Sequence, residues 1–355
     1  MRNIAIGIDL AKSVFSTCTL DGSGRVIQRQ DLRREAFAVW LAQLPAGTRV
    51  AMEACSGAHH WARRSLEHGL QPRLMAAQFV KPFRKSQRAK NDRNDAEAIA
   101  TAARQGNMRF VPVKSIDQQA RLAEHRIREG FKADALAASN RLRGILAEFG
   151  IVVPRGDAAL RRMLAGLGEL PVPATMRVAL DQLQRHWSVL REHEAKCSRR
   201  ILARSRDDER CARLRRIIGI GPLTADAWVA TLGNGRDFRN GRQLAAWLGL
   251  TPTQHSSGGK ARLGAISCRG DGYLRTLLIQ GARSSLQRAQ AVAAAQATPE
   301  QVWIRGLAAR LPFGKVLVAI ANKHARQAWA MLARGEDYDP HAWLRHPMVQ
   351  RPANK

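Results

Sequence analysis

Apolar and polar positions alternate or cluster in short runs over the first 110 residues. The runs "NIAIGID" (3–9), "TRVAMEA" (48–54) and "PRLMAA" (72–77) are typical of strands, and "VFSTCTLDGSGRVIQRQD" (14–31) is typical of a β-hairpin with a glycine-containing turn. The segments "FAVWLAQLP" and "HHWARRSLEHG" have the spacing of helices. Strands that alternate with helices predict an α/β sheet over about residues 1–110.

Longer helical patterns follow from about residue 115. "QQARLAEHRIREGFKADALAASNRLRGILAEFG" predicts a long helix that stops at Gly150 and Pro154, and a second long helix begins near Thr175. In the second helix, apolar side chains recur in steps of three and four that only Glu194 interrupts: Leu180, Leu183, Trp187, Leu190, Cys197 and Ile201. This spacing predicts either two antiparallel helices or a coiled-coil arm that pairs two copies. The Gly- and Pro-rich "PRGDAALRRMLAGLGELPVP" between the helices is interpreted as the hairpin tip.

A further, mostly helical pattern begins after about residue 212 and runs to a polar tail. We therefore predict four parts: an α/β domain (1–112), a helical or coiled-coil arm (113–212), a mostly α domain (213–340) and a polar tail (341–355).

Charge narrows the choice of partner. The chain has 58 Lys and Arg against 29 Asp and Glu, a formal net charge of +29. A net charge of this size favours a polyanionic partner. Nucleic acid explains the excess of basic residues better than a GC-rich genome that raises the arginine content, or an anionic membrane, does. The sequence has neither an apolar run of membrane-spanning length nor a signal-peptide pattern, so we expect no membrane partner and a cytoplasmic protein. The five cysteines are scattered without a C-x-x-C pair, which predicts neither disulfides nor a zinc finger.

Four carboxylates stand at positions that suit a metal site. Asp9 and Glu53 end predicted strands, and Asp92 and Asp95 lie three residues apart at the start of a predicted helix, "KNDRNDAEAIA". By themselves, the last two are explained as acidic residues stabilised by the positive end of a helix. A charged residue at the end of a buried strand is costly without a partner, however, and carboxylate oxygens are preferred ligands of Mg²⁺. The four together therefore predict a divalent-metal site.

A Gly-Ile-Gly turn lies between two helical runs in "RRIIGIGPLTADAWVATLG" (215–233). Backbone N–H groups of such a turn, at Gly219 and Gly221, can hold a DNA phosphate without reading sequence. The alternative is a purely structural turn between two helices, because a phosphate-binding turn and a structural turn have the same backbone geometry.

The stretch "HSSGGKARLG" (255–264) connects two predicted helices. It is not a nucleotide-binding loop, because Gln254 and Ala261 occupy positions where that motif has glycine and serine or threonine. A flexible linker and a loop that presents a serine nucleophile both remain open from the residues alone. The nearby basic side chains suit neutralisation of a scissile phosphate: Lys260, Arg262 and Arg269.

Four motifs in this order, "GIDLAK", "AMEAC", "NDRNDAEAIA" and "GLTPTQHSSGGKARLGAISCRGDGYLR", closely resemble those of bridge-RNA-guided DEDD insertion-sequence transposases, a family that includes the Piv-type DNA invertases. The resemblance covers essentially the whole chain. It implies an RNase H-like (RuvC-like) N-terminal domain over 1–112, the arm, and a serine-bearing transposase domain over 213–340.

The same resemblance implies the roles of the site residues. Mg²⁺ or Mn²⁺ would be held by the four carboxylates, Asp9, Glu53, Asp92 and Asp95. Ser257 would become covalently joined to DNA, with Ser256 as a rival and Ser267 as a weaker one. The implied partners are donor and target DNA, a structured noncoding guide RNA and further copies of the chain in a dimer or tetramer, at the nucleoid of a bacterial cytoplasm.

Three other functions compete with this prediction. A Holliday-junction nuclease would use the same carboxylates and water, without the serine loop. A non-catalytic DNA-binding protein would leave the strand-end carboxylates without a purpose. An actin-like sugar kinase is disfavoured because Lys12 stands where its first phosphate loop has a small residue.

Overall fold

The chain divides into two units, residues 1–116 and 117–355, and each has its own hydrophobic core. The computed structural model describes residues 5–84, 92–254 and 262–341, with the backbone alone for Asp92. No helix in these ranges is both long enough and apolar enough to cross a membrane.

A six-stranded mixed sheet in the order β3-β2-β1-β4-β5-β6 organises the first unit. Strands β1 and β2 and strands β2 and β3 pair antiparallel, β1, β4 and β5 run parallel, and the short β6 returns antiparallel to β5. The strands are β1 Ala5–Asp9, β2 Val14–Leu20, β3 Val26–Arg33, β4 Arg49–Glu53, β5 Gln71–Met75 and β6 Phe110–Val111; the helices are α1 Arg34–Ala42, α2 Ala58–Glu67, α3 Ala77–Val80 and α4 Asp92–Ala103. The predicted strands, hairpin and helices of this region are confirmed, and the arrangement is compatible with an RNase H-like domain.

Residue parity along β1 assigns each face of the sheet to different helices, because successive side chains of a strand point to opposite faces. Ile6 and Ile8 join one core cluster with Phe37 of α1 and Trp61 of α2. On the other face, α4 packs against β1 and β2, and Ala51 of β4 contacts its apolar side. The sheet is therefore covered on both faces, and α4 lies on the face shared by Gly7 and Asp9, with Val80 of α3 packed beside it.

The second unit is mostly helical. It comprises α5 Ile116–Glu148, α6 Asp157–Ala165, α7 Ala174–Asp207, α8 Glu209–Leu214, α9 Pro222–Leu232, α10 Gly241–Trp247, the strands β7 Pro252–Gln254 and β8 Leu263–Ile266, and then α11 Gly272–Ala291, α12 Pro299–Arg310 and α13 Phe313–Ala333. Its larger core joins helices from α8 to α13, and α13 contributes the most buried apolar side chains.

The long helices α5 and α7 pack on each other within one chain. Leu180, Trp187 and Leu190 of the predicted seam are buried against Ala138 and Leu142 of α5. Glu194, the break in the seam, forms ion pairs with Arg128 and Arg191. The antiparallel-helix alternative is therefore what the chain adopts. Pairing of two copies remains a prediction, and it would have to use other faces of these helices.

The hairpin tip contains the helix α6, which the sequence analysis treated as part of a turn. Glycine at 156 and 166 and proline at 154 bracket this helix closely. Leu160 and Leu164 are buried against the seam of the hairpin, so tertiary packing stabilises a helix too short to be stable alone.

Candidate functional site

Asp9 and Glu53 lie side by side at the carboxyl ends of two parallel strands. The register pairs Ile8 with Met52, so Asp9 and Glu53 occupy the next position along β1 and β4. Parity directs both side chains to the face covered by α4. Both residues are only partly exposed.

Helix α4 brings a third carboxylate to the same edge. It crosses β1 so closely that Gly7 is in backbone contact with Ala96, the residue after Asp95. Asp95 is buried, and it shares its face of α4 with Ile99 and Ala102, which pack on the sheet. The structure therefore places Asp9, Glu53 and Asp95 at one edge of the sheet. Their role as metal ligands stays a prediction. Helix α4 begins at Asp92, whose side chain lies outside the described residues.

Arg84 connects two of these carboxylates, and the sequence analysis did not identify it. Its Nη2 lies 3.3 Å from Glu53 Oε1, and its Nε lies 3.0 Å from Asp95 Oδ1. The two carboxylates keep only 15% and 10% of their side-chain surface exposed. Glu53 and Asp95 therefore face a common point at which the chain already places a positive charge.

The Cys55 thiol reports on the negative charge of this edge. Burial raises its pKa, and the charges of Asp9 and Glu53 raise it further. A carboxylate disfavours a second negative charge nearby, so Cys55 stays a neutral thiol at this edge.

The donor chemistry of the edge fits a hard divalent cation. Carboxylate oxygens from two strands and one helix are available, and the Arg84 guanidinium stands in for a cation between two of them. Within the described part of the chain, no three acidic, histidine or cysteine side chains are grouped closely enough to hold a metal ion. A metal ion that binds Glu53 and Asp95 would thus have to replace the Arg84 guanidinium as their positively charged partner.

The residues on both sides of the predicted nucleophile form defined strands. Ser256, Ser257 and Lys260 are outside the described residues. On either side of them, β7 and β8 form a two-stranded antiparallel hairpin, in place of the plain helix-to-helix loop expected from the sequence. The weaker rival Ser267 follows this hairpin, and its N–H donates to the Thr251 carbonyl.

Two glycines hold the ends of the hairpin together. Gly249 after α10 and Gly270 before α11 each have a positive φ and pack against backbone of the opposite segment. A Cβ on Gly270 would lie 1.9 Å from the Trp247 carbonyl oxygen. The Arg275 guanidinium spans the same junction and donates to the carbonyls of Leu248 and Arg269. The outer ends of the hairpin strands β7 and β8 are therefore held together by close backbone packing and by Arg275.

The predicted phosphate-binding residues differ in their surroundings. Arg262 and Arg269 are exposed beside the hairpin, where a nucleic acid can reach them. Gly221 is exposed at the start of α9. Gly219, in contrast, is pressed against Gly281 and Ser285 of α11, so a structural role as a close-packed turn accounts for it. Phosphate binding by the Gly-Ile-Gly turn stays a prediction that rests on Gly221.

A buried charged network lies at the base of the helical hairpin, and the sequence analysis missed it. Asp226 of α9 is fully buried. It accepts two bonds from Arg204 (3.0 and 2.7 Å), one from His125 Nε2 (3.0 Å), and a longer one from Arg121 (3.4 Å). Burial opposes ionisation of Asp226, but the bonds from His125 and Arg204 outweigh it and hold its pKa below the usual value.

This network extends to the start of α11. The Tyr273 hydroxyl lies 3.0 Å from His125 Nδ1, and burial raises the pKa of Tyr273 to about 12, so it remains a donor. Asp271, the residue before α11, caps this helix: its side-chain carboxylate accepts a hydrogen bond from the Leu274 N–H. The start of α11 is thus joined to α5 by the bond between Tyr273 and His125, and through His125 to Asp226 of α9 and Arg204 of α7.

Comparison with known proteins decides the family. A family model described as "Transposase IS116/IS110/IS902 family" matches residues 211–297, and the model of the IS110-type DEDD domain, described as "Transposase", matches residues 6–151. A "Probable family 20 transposase" of Pseudomonas aeruginosa is 45% identical over 339 residues, which cover 94% of this chain and 98% of the relative. The chain belongs to the IS110 family of transposases.

Two further relatives of this transposase are named for their elements. The "Transposase for insertion sequence element IS1111A" of Coxiella burnetii is 38% identical over 95% of this chain and 92% of its own. The "Transposase for insertion sequence element IS1328" of Yersinia enterocolitica is 38% identical over 94% and 98%. Family membership implies an enzyme that cuts and rejoins DNA, with a DEDD domain that depends on a divalent metal ion.

Proposed function

We propose that this transposase moves an insertion sequence through a covalent phosphoserine intermediate, with Asp9, Glu53, Asp92 and Asp95 holding Mg²⁺ or Mn²⁺ and Ser257 as the nucleophile. The observation that carries the proposal is the placement of Asp9, Glu53 and Asp95 at one sheet edge, in a chain whose predicted nucleophile lies in sequence between the paired strands β7 and β8.

The reaction conserves the phosphodiester bond energy. The Ser257 Oγ attacks the scissile phosphorus, its proton leaves to a base, and one deoxyribose oxygen departs as the leaving group and takes up a proton. A divalent cation held by the carboxylates would stabilise the charge that develops on the phosphate oxygens. Arg262 and Arg269, with Lys260, neutralise the DNA backbone beside the loop. Attack by the released hydroxyl on the phosphoserine reverses the step and rejoins the strand.

Sequence choice on this proposal belongs to a structured noncoding RNA, which pairs with donor and target DNA. The formal charge of +29 supports a nucleic-acid partner, although it does not distinguish RNA from DNA. Sequencing of RNA that copurifies with the protein tests this part directly. Transcripts from the DNA that flanks the gene, with loops complementary to the insertion site, are the expected result.

We further propose that two or more copies assemble, so that the carboxylates of one protomer act together with the serine of its partner on one phosphodiester. The carboxylates of one protomer and the serine of the other would then act on the same DNA only after the complex has assembled. This arrangement accounts for a chain that carries both parts on different domains.

A cleavage assay tests the proposed chemistry. Supercoiled DNA that carries the element ends, with the flanking transcript and Mg²⁺, should be cut by the wild type and left intact by Asp95→Asn. Asp21→Asn is the matched control, because this exposed carboxylate only caps the turn between β2 and β3. Equal cutting by wild type and Asp95→Asn would overturn the role of the carboxylates.

A further inference from the structure

Arg84 is the side chain at the carboxylate edge whose role family membership does not explain. It follows a single 3-10 turn, Lys81–Phe83, and reaches back to Glu53 at the end of β4 and to Asp95 on α4. About a third of its side chain, 32%, remains exposed, whereas both carboxylates are more deeply buried. Arg84 therefore contacts the edge from its solvent side.

Electrostatics explains why a cation is needed there. Two carboxylates held close together at a partly buried edge repel each other unless a positive charge lies between them. The guanidinium of Arg84 supplies that positive charge between Glu53 and Asp95. A divalent cation that binds Glu53 and Asp95 has to displace the guanidinium from both.

The contact between Arg84 and Asp95 is of a kind that can be exchanged. Within the described residues, the Arg84 Nε–H finds no acceptor at hydrogen-bond angles, so its attraction to Asp95 is electrostatic rather than a directed bond. The contact with Glu53 is long, at 3.3 Å. A forked, two-bond grip on one carboxylate would hold the guanidinium more firmly.

We propose that Arg84 couples metal binding to DNA binding: it competes with the divalent cation for Glu53 and Asp95, and a DNA phosphate relieves this competition by drawing the guanidinium away. The inference rests on the metal site of the proposed function. An arginine binds phosphate oxygens at least as well as carboxylates, and Arg84 is exposed enough to meet one. The site thus binds its metal weakly until substrate DNA is present.

Isothermal titration of Mn²⁺ into the full chain tests this coupling, with all proteins carrying Ser257→Ala so that the DNA is not consumed. Without DNA, Arg84→Ala should bind Mn²⁺ about tenfold more tightly than the parent, and Arg84→Lys should lie between them. Duplex DNA should tighten Mn²⁺ binding by the parent but leave that of Arg84→Ala nearly unchanged. Arg93→Ala is the matched control, because Arg93 pairs with Asp31 of β3.

Three results would count against the inference, and one of them would also count against the proposed metal site. Unchanged or weaker Mn²⁺ binding by Arg84→Ala, with a normal melting curve, would make Arg84 a structural residue. Equal tightening by DNA in the parent and in Arg84→Ala would remove the coupling. If no variant binds Mn²⁺ even with DNA, the metal site of the proposed function fails together with the inference. A melting curve of each variant with and without Mn²⁺ provides a second readout, since at a given concentration a tighter ligand stabilises the fold more, by an amount that rises with the logarithm of its affinity.

Discussion

Gly7 of β1 and Ala96 of α4 touch through their backbones, and a Cβ on Gly7 would lie only 2.1 Å from the Ala96 carbonyl oxygen and 2.4 Å from the Ala100 nitrogen. This contact sets how closely α4 approaches the sheet. Asp9 lies two residues after Gly7, and Asp95 lies directly before Ala96. The distance between the strand-borne and the helix-borne carboxylates therefore depends on the absence of a side chain at residue 7.

Gly7→Ala should push α4 off the sheet and destabilise the first unit by about 2 kcal/mol or more, because the atoms that must yield are backbone atoms. It should also weaken Mn²⁺ binding by the protein that remains folded. Thermal unfolding and titration measure the two effects. Gly22→Ala in the turn between β2 and β3 is the control, since a Cβ there meets nothing within 4 Å. Equal stability of both variants would show that α4 can adjust at no cost.

The first unit could be predicted from local patterns because its strands are short apolar runs separated by turn residues. Asp9 and Glu53 were found for the same reason, since each ends such a run. Arg84 could not be found in this way. It lies 31 residues from Glu53 in the chain, and only the folded sheet edge brings the two together.

In the second unit, the sequence carried a signal that the analysis did not use. Asp226 stands in "PLTADAWVATL", an otherwise almost wholly apolar helix, and a buried charge of this kind needs partners. Its partners, His125 and Arg204, lie 101 and 22 residues away, so their identity depends on the fold. The hairpin β7–β8 was missed because its strands are only three and four residues long.

Asp226→Asn should destabilise the second unit by about 2–3 kcal/mol, because the fully buried position loses the charged acceptor of the bonds from Arg204 and His125, while Arg204 keeps its ion pair with Glu124. Chemical denaturation of the full chain measures this loss. Asp181→Asn on α7 is the matched control, because Asp181 forms an exposed ion pair with Arg185. This substitution should lower the free energy of unfolding by less than about 1 kcal/mol. Similar small effects of the two substitutions would mean that the network does not hold α9 to the long helices.

His324 of α13 should make stability depend on pH. Burial lowers its pKa from 6.5 to about 4, so the folded protein keeps it neutral while the unfolded chain takes up a proton below about pH 6.5. Its contribution to stability is therefore complete above pH 6.5 and is lost as the pH falls towards 4. The two pKa values limit this loss to about 3 kcal/mol.

Unfolding of the wild type and of His324→Met between pH 4 and pH 8 tests that dependence. The difference in unfolding free energy between the two proteins should change across this range, because His324 takes up a proton on unfolding and methionine does not. The charges of Glu300 and Lys323 beside His324 are present in both proteins, so their effect cancels in the comparison. A constant difference would show that His324 does not titrate as burial dictates.

Self-association should use the outer face of α7, because the seam is already filled by α5. Val178 and Val189 are 61% and 46% exposed, and their spacing of eleven residues places them on one face. Light scattering of the full chain should report a dimer or larger, and glutamate at both positions should reduce that mass without unfolding the protein. A wild-type monomer at high micromolar concentration would contradict the proposed assembly.

The covalent phosphoserine is the claim on which the whole account depends, and trapping it is the most direct test. A nicked suicide substrate incubated with protein, Mg²⁺ and the flanking transcript should leave wild-type protein joined to DNA through denaturing electrophoresis. Ser257→Ala should bind the DNA but form no adduct, whereas Ser256→Ala should still form one. Cutting by Ser257→Ala, with no adduct from any variant, would contradict the account in favour of hydrolysis by water; an adduct lost only in Ser256→Ala would show that the neighbouring serine is the nucleophile.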